Sequence, residues 1–377
     1  MNEIEGTPKK VPTLSACFIA GNEAHCIGNI LRDIRDHVDE VVIVKAVGNQ
    51  MHDSTALVAL DCIAEKKLHL AAYGNRDETL PHIDDFAAAR NKSFSLAAGD
   101  WILWLDCDDR VTPENMARIR EAIAIVPDDV NALFCSYAIA DKGSVILRER
   151  LIRNGKGKWR GAIHETCVIE GKALECPQIV IHHTDPDPAK SEGSARRNLA
   201  ILDRVLDQYP RHLFYRHAEH VRLGNVDAAR ADGLAALACL HKDNAEERYL
   251  VHLNLAELEP DRAEGHLAAA VQLQPHRREA FAMLVQYHTR RGQVSQATSY
   301  FRMLDALPVP APLPWTHQAC WYGKAWGRQY LRVRLLRAAG QRARAAGEHA
   351  ANLLDPEYRA QTAALDLDQP PQDTNPN

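Results

Sequence analysis

Residues 100–111 (DWILWLDCDDRV) run from an apolar stretch straight into Asp106, Asp108 and Asp109. A run of that composition predicts a buried strand, so three carboxylates stand at its carboxyl end. Like charges packed this closely repel and are costly unless something positive lies among them. A hard divalent cation with oxygen ligands is the natural partner, and Mg²⁺ or Mn²⁺ typically bridges carboxylates to a diphosphate. Aspartates ahead of Thr-Pro-Glu also suit a helix cap, but Thr112-Pro113-Glu114 supplies that cap already.

The elements that must position this cluster are legible in the first half of the chain. Apolar runs at residues 14–21, 40–47, 67–74 and 100–107 predict strands, and residues 23–37, 54–66 and 84–98 predict helices, with Gly99 placed to end the last. Strand, helix, strand in this order predicts βαβ units and a mainly parallel sheet covered on both faces. Ligands of such sheets bind outside the carboxyl ends of the strands, where the aspartates lie.

From about residue 196 the strand pattern gives way to Ala- and Arg-rich helix. Phe281, Leu284, Gly292, Ala297, Phe301, Leu304 and Pro308 fall close to the spacing of one tetratricopeptide (TPR) unit of 34 residues. Leu223-Gly224 with Ala229, and Gly340 with Ala345, give weaker copies, and Glu259-Pro260 a short turn between. The expected organisation is a flexible N-terminus over residues 1–12, an α/β domain over 13–190, a helical-repeat domain over 191–366 and a disordered tail over 367–377. The proline-rich stretch at residues 308–314 is expected to be extended.

The 377 residues, 46% apolar and 25% charged, suffice for two such domains. No apolar run approaches ~18 residues and the first dozen residues are polar, so the expectation is a protein with no membrane segment that stays in the cytoplasm. Nine cysteines at irregular spacing, without a CxxC pair, fit a reduced compartment, and Cys17, Cys62, Cys107 and Cys135 sit in apolar runs as core side chains. A net charge of -5 argues against coating nucleic acid by bulk electrostatics.

The segments LSACFIAGNEA, IDDFAAARNKSF, GDWILWLDCDD and KWRGAIHE together resemble the family 2 glycosyltransferases of GT-A fold. Their order, with helical repeats following, is similar to the TPR-bearing branch that includes bacteriocin S-glycosyltransferases and phage-borne relatives. The resemblance implies an α/β GT-A fold followed by an all-α TPR-like domain. It assigns Asp106 and Asp108 to the DxD pair that holds Mn²⁺ or Mg²⁺ and a nucleotide-diphosphate sugar, with His182 closing the metal site and His183 beside it as the alternative. It places Asn22 and Glu23 at the nucleotide edge, and Asp85, Arg90 and Asn91 in a donor-binding block where Arg90 clamps phosphate. Glu165, in Ile163-His164-Glu165, takes the position of the catalytic acidic residue, with His164 beside it; a carboxylate there equally suits an ion pair with an arginine. Trp159 suits stacking on sugar or core packing. One departure stands out, since Lys45 ends the second strand where relatives carry a base-reading Asp, and Asp53 keeps only the second acidic position. A lysine cannot accept a hydrogen bond from a base imide, so a UDP-sugar is the first expectation with GDP-, dTDP- and CDP-sugars open.

The activity implied is inverting transfer of a sugar to a macromolecular acceptor by a monomer or homodimer. Arg148, Arg150, Arg153, Lys156, Lys158 and Arg160 lead into the proposed catalytic segment and suit an anionic acceptor such as hydroxymethylated phage DNA or an acidic glycan. TPR surfaces favour a peptide or protein acceptor. A second cluster, Arg328, Arg332, Arg334, Arg337, Arg342 and Arg344, lies near the end of the chain. The rival readings are a nucleotide-binding helical-repeat scaffold without transfer, and a GT-A nucleotidyltransferase, which needs a Gly-rich loop where FIAGNEA has one glycine.

Overall fold

The computed structural model describes residues 11–139, 144–184, 188–206, 211–308 and 325–363. The expected flexible N-terminus (apart from residues 11 and 12), the extended proline-rich stretch (apart from Pro308) and the disordered tail lie outside them. Along the chain, two compact units meet between Lys190 and Ser191.

The first unit is built on one eight-stranded sheet. Strands β1 (Leu14–Ala20), β2 (Glu40–Lys45), β3 (Leu68–Ala72) and β4 (Trp101–Trp104) pair in parallel in the order β3-β2-β1-β4. All six residues of β2 are buried, as a strand covered on both faces requires. Helix α1 (Ile27–Ile34) covers one face by burying Ile27, Ile30, Leu31 and Ile34, the spacing of a single helical stripe. Helices α2 (Thr55–Cys62) and α3 (Phe86–Leu96) follow β2 and β3 as expected, each a few residues shorter than its periodicity predicts.

Gly99 does not end α3, whose C-cap is Ala97. It is needed because a Cβ there would lie 2.5 Å from Ser15 Oγ and 2.9 Å from the Ser15 backbone nitrogen.

The sheet continues past the four expected strands through β5 (Asp109–Arg110), β6 (Val130–Ile139), β7 (Ser144–Arg153) and β10 (Lys172–His183), in the order β4-β7-β6-β10-β5. Strand β7 runs antiparallel to both β4 and β6, which turns the far half of the sheet mixed. Between β5 and β6, α4 (Pro113–Ile125) starts at Thr112, whose hydroxyl accepts from the Asn115 N–H, so the Thr-Pro-Glu cap forms as read. Strands β8 (Gly157–Arg160) and β9 (Thr166–Ile169) form a separate hairpin. Cys17, Cys107 and Cys135 are buried, while Cys62 is half-buried.

In the second unit, after α5 (Pro188–Val205), helices pair as hairpins: α6 (Arg211–Arg222) with α7 (Val226–Cys239), α8 (Ala245–Leu258) with α9 (Ala263–Leu273), α10 (Glu279–Arg290) with α11 (Val294–Ala306), and α12 (Ala325–Ala338) with α13 (Arg342–Asn352). A short α14 (Pro356–Thr362) closes the described chain. Gly224, Gly292 and Gly340 take positive φ at hairpin turns, a conformation glycine adopts without strain. Ala229, Ala297 and Ala345 are fully buried where the helices approach, so the small residues of the repeat pattern serve close packing.

Two histidines tie this unit to pH. His217 Nδ1 lies 2.7 Å from the Ala229 carbonyl and Nε2 lies 3.1 Å from the Asn254 amide nitrogen, an arrangement that suits the neutral ring. Burial pushes the His217 pKa down, and burial with His266 and Arg248 pushes His252 down to about 4. Unfolded imidazoles protonate near pH 6.5, so between about pH 6.5 and 4 the unfolded chain binds more protons and stability falls with pH. Urea unfolding followed across that window is expected to show a falling midpoint, with a shallower fall in His252→Gln. An unchanged slope in that variant would assign the acid loss to other groups.

Candidate active site

The carboxyl ends of β1, β2 and β4, with the loops after them, converge on the aspartates. Asp109 is fully buried, accepts the Tyr137 hydroxyl at 2.9 Å and the Asp106 backbone N–H at 2.9 Å, and faces Arg150 Nη1 at 3.2 Å. Arg150, also fully buried, reaches from β7 with its guanidinium 3.9 Å from the Trp104 ring and 4.1 Å from the Tyr137 ring. Its Nη2 stands 3.6 Å from Asp106 Oδ2, while Arg90 Nη2 donates to Asp106 Oδ1 at 3.0 Å. Burial opposes the charge on Asp106, but Arg90 and then Arg150 hold its pKa below the usual carboxylate range. The positive partners of Asp106 and Asp109 are therefore arginines of this chain.

Asp108 is different. Burial raises its pKa, Asp106 and Asp109 add repulsion, and among the described residues its ion-pair contact is His183 Nδ1 at 3.6 Å. His183 Nδ1 is also 3.4 Å from Asp109 Oδ1, and burial fails to offset these acids, which raise the His183 pKa. Asp108, Asp109 and His183 each offer a ligand atom, all within 4.8 Å of one another. Two hard oxygens and an imidazole around a destabilised carboxylate fit Mg²⁺ or Mn²⁺. His182, the expected ligand, is exposed on the alternate side of β10, because successive strand residues face opposite ways.

Arg90 is buried on α3, and its two ends make a bridge. Nε donates to Glu165 Oε1 at 2.6 Å while Nη2 holds Asp106, and the guanidinium lies 4.5 Å from the Trp104 ring and 5.1 Å from the Trp159 ring. Burial opposes its charge, yet Asp106 and Glu165 raise its pKa, so it stays cationic. Glu165 follows His164, an exposed residue at φ 50°, in the turn between β8 and β9. A non-glycine residue at positive φ is uncommon and aims the segment sharply.

Other expected site residues serve as supports. Asn91 brackets the Trp159 backbone with two 2.9 Å hydrogen bonds, and Trp159, 2% exposed, packs edge-on against Trp104 and Phe94. Trp159 is thus a wall behind Arg90 instead of a stacking platform. Asp85 caps α3 by accepting the Ala88 N–H at 2.8 Å. Lys45 is buried and donates to the Gly21 carbonyl, to Asn22 Oδ1 at 3.4 Å and to Asp53 Oδ1 at 3.2 Å. Asp53 also accepts from Ala24 and Thr55; burial opposes its charge, but these donors hold its pKa below the carboxylate range. Lys45 therefore ties the loops after β1 and β2 together. In the first of these loops the Glu23 N–H donates to Thr55 Oγ1 at 2.9 Å.

The basic stretch divides. Arg153 stacks 4.7 Å from Trp101 at the opposite end of β4, and Lys156 lies 3.8 Å from Glu170. Lys158 and Arg160 are exposed on β8. Arg150 turns inward, so it neutralises aspartates and offers nothing to an acceptor. Replacing Arg150 with Met strips Asp109 of a buried partner and is expected to cost about 3–5 kcal/mol, read from urea unfolding. A loss below about 1 kcal/mol, the scale of an exposed pair, would mean that the ion pair is solvated.

Residues 15–167 match the glycosyl transferase family 2 profile. The chain is 23% identical over 251 residues to the SPbeta prophage-derived glycosyltransferase SunS of Bacillus subtilis (strain 168), covering 64% of this chain and 56% of that protein. It therefore spans little more than half the length of this relative. A TPR repeat-containing protein of Synechococcus elongatus is 33% identical over 110 residues, which are 29% of this chain and 24% of that one. The crystal structure of S. aureus TarS 1–349 in complex with UDP-GlcNAc superposes with TM-score 0.40 at 12% identity, covering 70% of this chain and 92% of that one, too loose a likeness to bear on donor or acceptor.

Proposed function

We propose that this chain, whose residues 15–167 form a glycosyl transferase family 2 domain, transfers a sugar with inversion from a nucleoside-diphosphate donor to a macromolecular acceptor. The observation that carries the reading is the Arg90 bridge, which joins a carboxylate of the acidic block, Asp106, 16 residues after Arg90, to Glu165, 75 residues after it.

Asp108, Asp109 and His183 would hold the divalent ion, which when bound offsets negative charge on the diphosphate. Arg90 adds a fixed cation beside the same charge as the anomeric carbon–oxygen bond breaks, in a site where stabilisation counts because it grows in the transition state. Glu165 receives the proton from the acceptor atom as that atom bonds the anomeric carbon from the opposite face. Oε1 accepts from Arg90, so Oε2 is the oxygen that takes the proton. The products are the glycosylated acceptor, the nucleoside diphosphate and a protonated Glu165 that returns its proton to water. The TPR-like unit supports a peptide or protein acceptor, and exposed Lys158 and Arg160 support an acidic one such as hydroxymethylated DNA.

Incubating the chain with UDP-, GDP-, dTDP- and CDP-sugars and Mn²⁺ is expected to release nucleoside diphosphate from at least one. Addition of peptide or hydroxymethylated DNA then separates the acceptor classes, with loss of the rate at higher salt marking the nucleic acid. Release from none would overturn the reading.

A further inference from the structure

The second arginine cluster contains a feature unrelated to sugar transfer. Arg328 and Arg332 of α12, with Gln329, stand beside Phe301 and Asp305 of α11 around a cavity of about 210 Å³. Arg278, at the start of α10 and 2% exposed, packs behind this lining, where its Nη2 donates at 3.1 Å to the carbonyl of Leu304, the residue before Asp305. Nε and Nη1 of Arg278 and Nε of Arg328 are buried with no hydrogen-bond partner among the described residues.

The neighbouring acids do not use these donors. Glu348 is engaged by Arg332 at 2.7 and 3.2 Å, and Asp305 lies 3.5 Å from Arg328 Nη1, a different nitrogen from the orphaned one. Burial and the nearby Arg328 charge together push the Arg278 pKa down, so the pair is uncomfortable as it stands. Buried donors left unpaired cost about 1–3 kcal/mol each and are rare in folded proteins, and a water supplies no charge to separate two guanidiniums. An oxyanion supplies both acceptors and charge, and the planar guanidinium fork matches its geometry.

We infer that Arg278 and Arg328 form an oxyanion site in the helical unit, which takes a carboxylate or phosphoryl group. The site rests on the helical unit alone and stands whether or not the proposed sugar transfer does.

The test titrates the full chain with sodium phosphate against sodium chloride at equal ionic strength and follows the thermal midpoint. A site elsewhere that binds phosphate responds alike in wild type and Arg328→Gln, so their difference reports this one. The wild-type midpoint is expected to rise saturably, and Arg328→Gln to need about tenfold more phosphate. Arg278→Met removes a buried unpaired charge; it is expected to keep or raise the phosphate-free midpoint and to lose the phosphate response. A peptide with a free C-terminal carboxylate that competes with phosphate, where its amide does not, identifies a protein-borne carboxylate as the source, and saturable phosphate binding without competition identifies the free anion. Equal phosphate responses in wild type and both variants, or none in wild type, would overturn the site.

Discussion

Glu165→Gln is expected to lower sugar transfer by about 10²–10⁴-fold, the usual contribution of a positioned general base. The amide oxygen of Gln can still accept from Arg90 Nε, now 2.6 Å from Oε1, so the bridge to Asp106 and the fold should survive. What the amide cannot do is take a proton at the second position. Donor affinity should be unchanged, which separates loss of the base from loss of the site. Wild-type turnover in this variant would mean that Glu165 is only the structural partner of Arg90, a role its ion pair alone would explain.

The second large effect is expected from Asp108→Asn. Among the described residues Asp108 is the carboxylate of the cluster without an arginine contact, and burial and its acidic neighbours already disfavour its charge. Replacing it by a neutral isostere relieves that repulsion, so the metal-free thermal midpoint should hold or rise. Turnover should fall by about 10²-fold or more, equivalent to the several kcal/mol a bound ion contributes to charge stabilisation, and the rise in midpoint with Mn²⁺ should vanish. A variant that instead loses stability together with activity would make Asp108 a structural residue of the turn. The two variants are distinguishable because one keeps the metal response and the other does not.

What was legible in the sequence was local. A strand feeding into Asp106, Asp108 and Asp109 is a contiguous pattern, and so are the Thr112 cap and the small residues at Ala229, Ala297 and Ala345. The turn glycines of the repeats also declare themselves by spacing. What escaped depends on pairing across the sheet. Arg150 reads as one more residue of a basic run until β7 is placed antiparallel beside β4, which brings it under Trp104 and onto Asp109. The choice between His182 and His183 turns on strand parity, and the register of β10 against β6 shifts between Cys176 and Val180, so parity could not be counted from the chain. The apparent excess of acid was misleading for the same reason. Its neutralising arginines, Arg90 on α3 and Arg150 on β7, meet the cluster only in the fold, and among the described residues they leave Asp108 with His183 as its ion-pair contact.

Lys45 carries a related lesson. Read alone, it replaces a base-reading acid; in the fold it pairs with Asp53 and Asn22 and closes two loops on one another.

The most direct test of donor-dependent sugar transfer is a thermal-shift panel of UDP-, GDP-, dTDP- and CDP-sugars, each with Mn²⁺. A ligand that binds only the folded state raises the midpoint in proportion to the logarithm of its excess over Kd. At least one sugar nucleotide should give a saturable, Mn²⁺-dependent rise in wild type that is lost in Asp108→Asn. No rise with any of them, or a rise indifferent to both metal and Asp108, would contradict the assignment of this acidic edge as the donor site.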